Sequence, residues 1–269
     1  MYKLLLLVSL CLSLQDALAA PKLTSLSEYR KAGFADLIAE KQLKAGQVWK
    51  LQQHGVVFGD LDVYISKNGL RTDCARSGIT VIAQGPRFDV VAFNLRANAI
   101  WKPSRDKFAP AEAMLKSLTL AGLPSSSKFP LVPSKPKIVN GLKCETYSTT
   151  NAWSKQQIDL FADKRFSARF PRRAEFQGID LHVPKDIYSI LEKIDGAPSL
   201  PLLPLEYSYD CLNGKRTTLV GSSTCRIVEA PKDWLKLPTG LKTVTSFQAL
   251  NMDQAAQSGI NELFGDLGR

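Results

Sequence analysis

GDLDVYISKNGLRTDCARSGITVIAQGPRFDVVAFNLRANAIWK, residues 59–102, decides how this chain folds. Five short strand-like runs are separated by turns at Lys67-Asn68-Gly69, Arg76-Ser77-Gly78, Gly85-Pro86 and Arg96-Ala97-Asn98. Strands this close together can pair only with their neighbours, as an antiparallel meander. Leu61, Val63 and Ile65 share one face of the first, with Asp60, Asp62, Tyr64 and Ser66 opposite; Leu70, Thr72 and Cys74 repeat the pattern. Residues 89–95 break it, with Val90 and Ala92 on one face and Val91, Phe93 and Leu95 on the other. A strand that is apolar on both faces is covered on both. A helix, a bound apolar ligand or both could supply the cover, and core packing is the commoner reason.

Upstream, residues 1–20 stand apart from the fold. Lys3 precedes an apolar run from Leu4 to Leu14, and Ala17-Leu18-Ala19 offers the small-x-small pattern of a cleavage site near Ala19/Ala20. The run is too short to cross a bilayer core, so it is read as a secretory signal peptide, and Leu10 before Cys11 argues against lipidation. The mature chain is then expected outside the cytoplasm, periplasmic or secreted, without a membrane span. About 250 residues remain, and they keep the net charge of +10 because Lys3 and Asp16 cancel. That charge favours an anionic envelope surface over nucleic acid as partner, or simply aids solubility. Four cysteines follow the signal: Cys74, Cys144, Cys211 and Cys225. An even count in an exported chain predicts two disulfides, with the pairing open.

Ser25-Leu26-Ser27-Glu28 is a capping box that opens a helix, and a strand over 48–53 follows it. Past the meander, 109–122 predicts a helix with Pro110 in its first turn, Met114, Leu115 and Leu118 on one face and Gly122 as its stop. Residues 124–137, rich in Pro, Ser and Lys, read as an extended connection between two halves of one domain spanning 21–269. Further strands are predicted over 142–149, 157–162, 203–211, from Thr217, and over 241–249. Asn213-Gly214 makes a hairpin turn, and Gly221 marks a bulge. Residues 184–196 predict a helix, since Ile187, Ile190, Leu191 and Ile194 lie on one stripe between Pro184 and Gly196. A last helix begins at Asn251.

No catalytic constellation emerges. There is no G-x-S-x-G elbow, no H-E-x-x-H and no glycine-rich phosphate loop, and His54 and His182 are far from any cysteine in sequence. No enzyme activity, metal or cofactor is expected. Asp60 and Asp62 are close enough to hold a cation but are more ordinary as a solvated face. The most distinctive polar segment is 163–176, where Lys164, Arg165, Arg169, Arg172 and Arg173 interleave with Phe166, Phe170 and Phe176. It suits an anionic surface, or else a solvated loop whose rings tuck into the core.

Gly59-x-Leu61-x-Val63, Leu70-Arg71, Ile79-Thr80-Val81-Ile82 and Val90-Val91-Ala92-Phe93-Asn94 resemble the periplasmic lipoprotein-carrier family, LolA and LolB. The run Ile138 to Tyr147 around Gly141 and Cys144, and Leu237-Pro238-Thr239-Gly240-Leu241, look like strands of exported relatives of that fold. The resemblance implies an α+β fold: an incomplete antiparallel barrel, or half-barrel, with helices covering its open side. It also implies an apolar concave face that accepts acyl chains. The carriers' arginine after the G-x-L-x-V strand is absent, since Ile65-Ser66-Lys67 stands there. Leu61, Val63, Val91, Phe93 and Trp101 are the residues expected to line the concavity. The function expected is non-catalytic binding of a hydrophobic or acyl ligand, or of an apolar segment of another envelope protein. The alternative is a structural or adhesion module holding anionic polymer or lipid through its basic residues.

Overall fold

The computed structural model describes residues 43–55, 58–111, 131–139, 142–149, 171–211 and 214–250. Among the described residues, twelve strands make one sheet: β1 Gln47–Gly55, β2 Gly59–Ser66, β3 Gly69–Cys74, β4 Ile79–Gln84, β5 Asp89–Asn94, β6 Ala99–Trp101, β7 Val132–Val139, β8 Leu142–Ser148, β9 Pro171–Ile179, β10 Leu203–Cys211, β11 Arg216–Glu229 and β12 Lys242–Val244. Their order across the sheet is β12-β6-β5-β4-β3-β2-β1-β11-β10-β9-β8-β7. Two local meanders, β1–β6 and β7–β11, are thus joined where β1 pairs with β11. β12 adds to the far edge, parallel to β6, while the other neighbours are antiparallel. The predicted five-strand meander is β2–β6, with turns where the sequence put them.

The half-barrel expectation requires correction. The sheet is open and mixed, and a single α-helix, α1 (Lys185–Asp195), lies against it among the described residues. The physical reason lies in what covers β4–β6. Residues 230–241 leave β11 in mid-sheet and must reach β12 at the edge, so they form a strap. Leu235 and Leu241 of this strap pack on Ile82, Phe93, Ile100 and Val91. Arg71 Nη1 donates to the Trp234 carbonyl at 3.0 Å, holding the strap to β3. The two-sided apolarity of 89–95 was therefore a true signal of double cover, but the cover is an irregular strap of the chain itself.

Gly69 is where the strap comes closest. A Cβ there would stand 2.8 Å from both the Ala83 carbonyl oxygen and Leu235 Cδ1. The carbonyl belongs to β4 and has little freedom to move, so Gly69→Ala should cost about 1–3 kcal/mol by overpacking. Chemical denaturation measures this, and a wild-type midpoint would show that the strap is not seated there.

The opposite face carries the main core. Leu51, Val63, Ile65, Leu70, Val81, Val90 and Ala92 meet Ile187, Ile190, Leu191 and Ile194 of α1, joined by Leu203, Leu205 and Cys225 from the second meander. The helix forms as its sequence predicts. Pro184 precedes it, Asp186 sits in the first turn and Lys193 in the last, each suited to the helix dipole. Gly196, at φ 69°, takes the left-handed cap and its N–H closes on the Glu192 carbonyl.

Further along, Phe176, Tyr207 and Val220 form a second cluster with Ala197 and Leu202, which follow the helix. Two bulges bend β11 on either side of Gly221. Gln52 and Gln53 pair with Thr224 and Ser222, leaving Ser223 over, and Tyr207 and Ser208 pair with Val220 and Thr218, leaving Leu219 over.

Three segments differ from expectation. The second part of the 124–137 connection is strand, since β7 starts at Val132. Pro133, Lys135, Pro136 and Lys137 make it an exposed edge strand that offers little to an incoming strand. The end of the basic segment is also strand, β9. The last predicted strand shrinks to Lys242–Val244. The signal peptide at 1–20, the helix at Ser25, residues 112–122 of the next predicted helix, the strand over 157–162 and the helix from Asn251 lie outside the described residues. No helix among the described residues is long and apolar enough to cross a membrane.

Candidate functional site

Where the first meander ends, the chain turns away from the sheet and a cleft opens beside it. β6 finishes at Trp101, and a 3-10 turn, Arg105–Lys107, returns Phe108 to the core. The amides of Lys107 and Phe108 both close on the Ser104 carbonyl. The facing wall is β12 with residues 245–248, which dip inward at Phe247. Beneath the cleft lies an aromatic cluster: Trp101 to Phe108 5.9 Å, Trp101 to Phe247 5.9 Å, and Phe58 edge-on to Phe247 at 5.5 Å. The cleft is open to solvent and has a volume of about 560 Å³. Its lining combines Trp101, Pro103, Ala109, Val244 and Phe247 with Ser104, Thr243, Thr245, Ser246, Gln248, Lys102 and Lys107.

α1 holds one wall of the cleft. Asp186 at its start pairs with the Arg105 guanidinium, and Lys193 near its end donates through Nζ to the Arg105 carbonyl at 2.7 Å. The wall is therefore braced against the element that fills the main core.

Of the residues expected to line a concavity, only Trp101 borders the cleft. Leu61 and Val63 are buried in the main core. Phe93 belongs to the cluster beneath the strap, with Val91 packed against it. The five are thus split between the two faces of the sheet. The cleft residues that sequence reasoning missed are Lys102, Lys107 and the stretch 243–248. The available signal was an aromatic strand end followed at once by Lys102-Pro103, a point where regular pairing stops.

Lys164, Arg165 and Arg169 of the basic segment lie outside the described residues, as does the Arg172 side chain. Arg173 is exposed on β9, with Nη2 3.8 Å from Glu175. Glu175 itself is 5% exposed and collects cations from three strands: Lys137 Nζ at 2.7 Å, Arg216 Nη2 at 3.3 Å and Arg173. Burial pushes its carboxyl up, but the Lys137 hydrogen bond and the Lys137 and Arg216 charges more than offset this and hold it below its ordinary value. Arg216 also reaches Glu206 at 3.1 Å and Asp210 at 3.4 Å. This balanced set of charges ties β7, β9, β10 and β11 together and is structural.

Cys74, Cys144 and Cys225 are buried thiols, not disulfides, and the Cys211 side chain is outside the described residues. No bridge forms among these three, which sit on strands β3, β8 and β11 as core side chains. Burial pushes the Cys144 thiol up to about 11. His54 and His182 pair with Asp60 and Asp180, and Lys50 with Asp62, so these polar groups satisfy one another on the surface. No metal-ligating cluster of three or more His, Cys, Asp or Glu occurs among the described residues.

Asp195, the last residue of α1, is the most unusual titratable group. It is 4% exposed, its Oδ2 has no hydrogen-bond partner, and it packs near Gly55 of β1. Burial pushes its carboxyl up to about 7.

No protein-family model matches the chain, and no curated protein matches it. Among solved structures it is similar to an uncharacterized conserved protein from Thermus thermophilus, at 10% identity and a TM-score of 0.39. That similarity covers 82% of this chain and 96% of the other.

Proposed function

We propose that this chain is an exported, non-catalytic binding protein whose ligand is an apolar or acyl group held in the cleft beside Trp101. The observation that carries this reading is the cleft itself: about 560 Å³ above packed aromatic rings. That volume falls within the range of about 300–1,000 Å³ usual for small-molecule sites, and its lining sets five apolar residues beside seven polar or charged ones. The leading apolar run and Ala17-Leu18-Ala19 support export. The mechanism is burial of apolar ligand surface, worth about 25 cal/mol per Å².

Thr245 is an exposed lining residue, so its substitution should leave the core intact. Thr245→Trp is expected to fill the cleft and weaken uptake of a fluorescent fatty acid by at least about tenfold, with an unchanged melting temperature. Native mass spectrometry of the protein purified from its own host, followed by lipid extraction, tests the same reading independently. Protein that arrives empty and takes up no fatty acid would overturn it.

A further inference from the structure

Resting on the cleft as the ligand site, we infer that its ligand is an amphiphile with an anionic head, a carboxylate or phosphate, which Lys102 and Lys107 receive at the mouth while the chain lies over Trp101 and Phe247. Among the described residues, the lining contains two ammonium groups and no Asp or Glu. Some cations elsewhere are matched, such as Lys50 with Asp62, Arg71 with Asp73, Arg87 with Asp89, Arg105 with Asp186 and Lys137 with Glu175, while others, such as Lys67 and Lys242, stand on the surface without a carboxylate partner among the described residues. Among the described residues, neither Lys102 nor Lys107 has a carboxylate within ion-pair distance.

A cleft lined by one sign of charge over low-dielectric walls concentrates the opposite sign. The two lysines stand on the same wall, Lys102 directly after β6 and Lys107 at the end of the 3-10 turn. Because α1 holds Arg105 between them from both ends, the positions from which they reach are set before any ligand arrives. Ser104 and Thr245 add hydroxyls to the same lining, and these can share the remaining oxygens of the head. An uncharged apolar ligand would leave the two lysines unused. A bare anion would leave the aromatic side unused.

The test uses the full chain and four probes in titration calorimetry at low salt: decanoate, decyl phosphate, decanol and inorganic phosphate. Decanoate and decyl phosphate are expected to bind at least about tenfold more tightly than decanol, as two partly exposed charge contacts allow. The preference should shrink with added salt and vanish in Lys102→Ala/Lys107→Ala. Both lysines are exposed, so the variant should melt with the wild type, and Lys102→Arg/Lys107→Arg should keep the preference. Equal binding of decanol and decanoate, or a preference surviving in the alanine variant, would overturn the anionic head and leave the cleft reading standing. Inorganic phosphate binding as tightly as decyl phosphate would overturn the amphiphile. Failure of every chain-bearing probe would overturn both readings together.

Discussion

Asp195→Asn is expected to stabilise the protein above neutral pH and to do nothing of the kind in acid. The carboxyl is pushed up to about 7 from 3.8 by burial alone, with no charged group contributing to the shift. Below the unfolded value both states are protonated, and the group costs nothing through ionisation. Between 3.8 and about 7 the unfolded chain releases its proton while the folded one retains it, so stability falls as pH rises. Above about 7 the full penalty is present, on the order of 4 kcal/mol at about 1.36 kcal/mol per unit. Asparagine resembles the protonated acid and escapes that slope. Guanidinium unfolding at about pH 4 and pH 8 should show the variant level with or below wild type at the lower value, and several kcal/mol above it at the higher. Parallel pH profiles would refute the assignment.

Arg216→Ala is expected to be the most damaging single change on the opposite side of the seam. It leaves Glu175, Glu206 and Asp210 without the guanidinium they share. Glu175 is the costly one, because it is buried. Breaking a fully buried pair costs about 3–5 kcal/mol, and the partial exposure of Arg216, 44%, reduces the expectation to about 2–3 kcal/mol. Glu175→Gln in the same background should cost less than it does alone, which a double-mutant cycle reads directly. The pH sign is opposite to that of Asp195. The folded Glu175 carboxyl lies below its ordinary 4.5, so its contribution is complete above that value and is lost as pH falls through the native one. Taken together, the two acids place their combined optimum on the acid side of neutrality, near where Glu175 is still ionised and Asp195 still protonated.

Much of the first meander was legible because its information is local. Turn residues at fixed spacing and a period of two dictate β2–β6, and Pro184, the isoleucine stripe and Gly196 dictate α1. Phe93-Asn94 shows the limit. Asn94 donates to the Ser77 and Leu250 carbonyls and accepts from the Arg96 and Ala97 amides, so its burial is explained only by three segments meeting. Likewise Val91 and Phe93 read as cavity wall because a strand apolar on both faces does not say which face meets which neighbour. Register decides: Ala92 sits opposite Val81 and Trp101, so the Val90/Ala92 face joins the main core. β7 and β9 were obscured by composition. Pro and Lys protect the β7 edge, and Arg173 on β9 answers a glutamate whose burial depends on strands distant in sequence. The cleft was hidden for a different reason. Its two walls, 101–109 and 243–248, are distant in sequence and come together only because β12 crosses to pair with β6.

That same strand order sets how the molecule must assemble. Each meander zips from neighbouring hairpins, over short loops that close quickly. The β1–β11 seam is another matter: Gln47 and Glu229, partners across it, are 182 residues apart. Chain entropy resists that encounter before any contact across the seam offsets it. The seam is therefore expected to set the refolding rate, which stopped-flow refolding of the wild type against a variant that weakens the β1–β11 pairing would show. Until it closes, each half shows an unpaired central strand, which makes refolding yield sensitive to protein concentration.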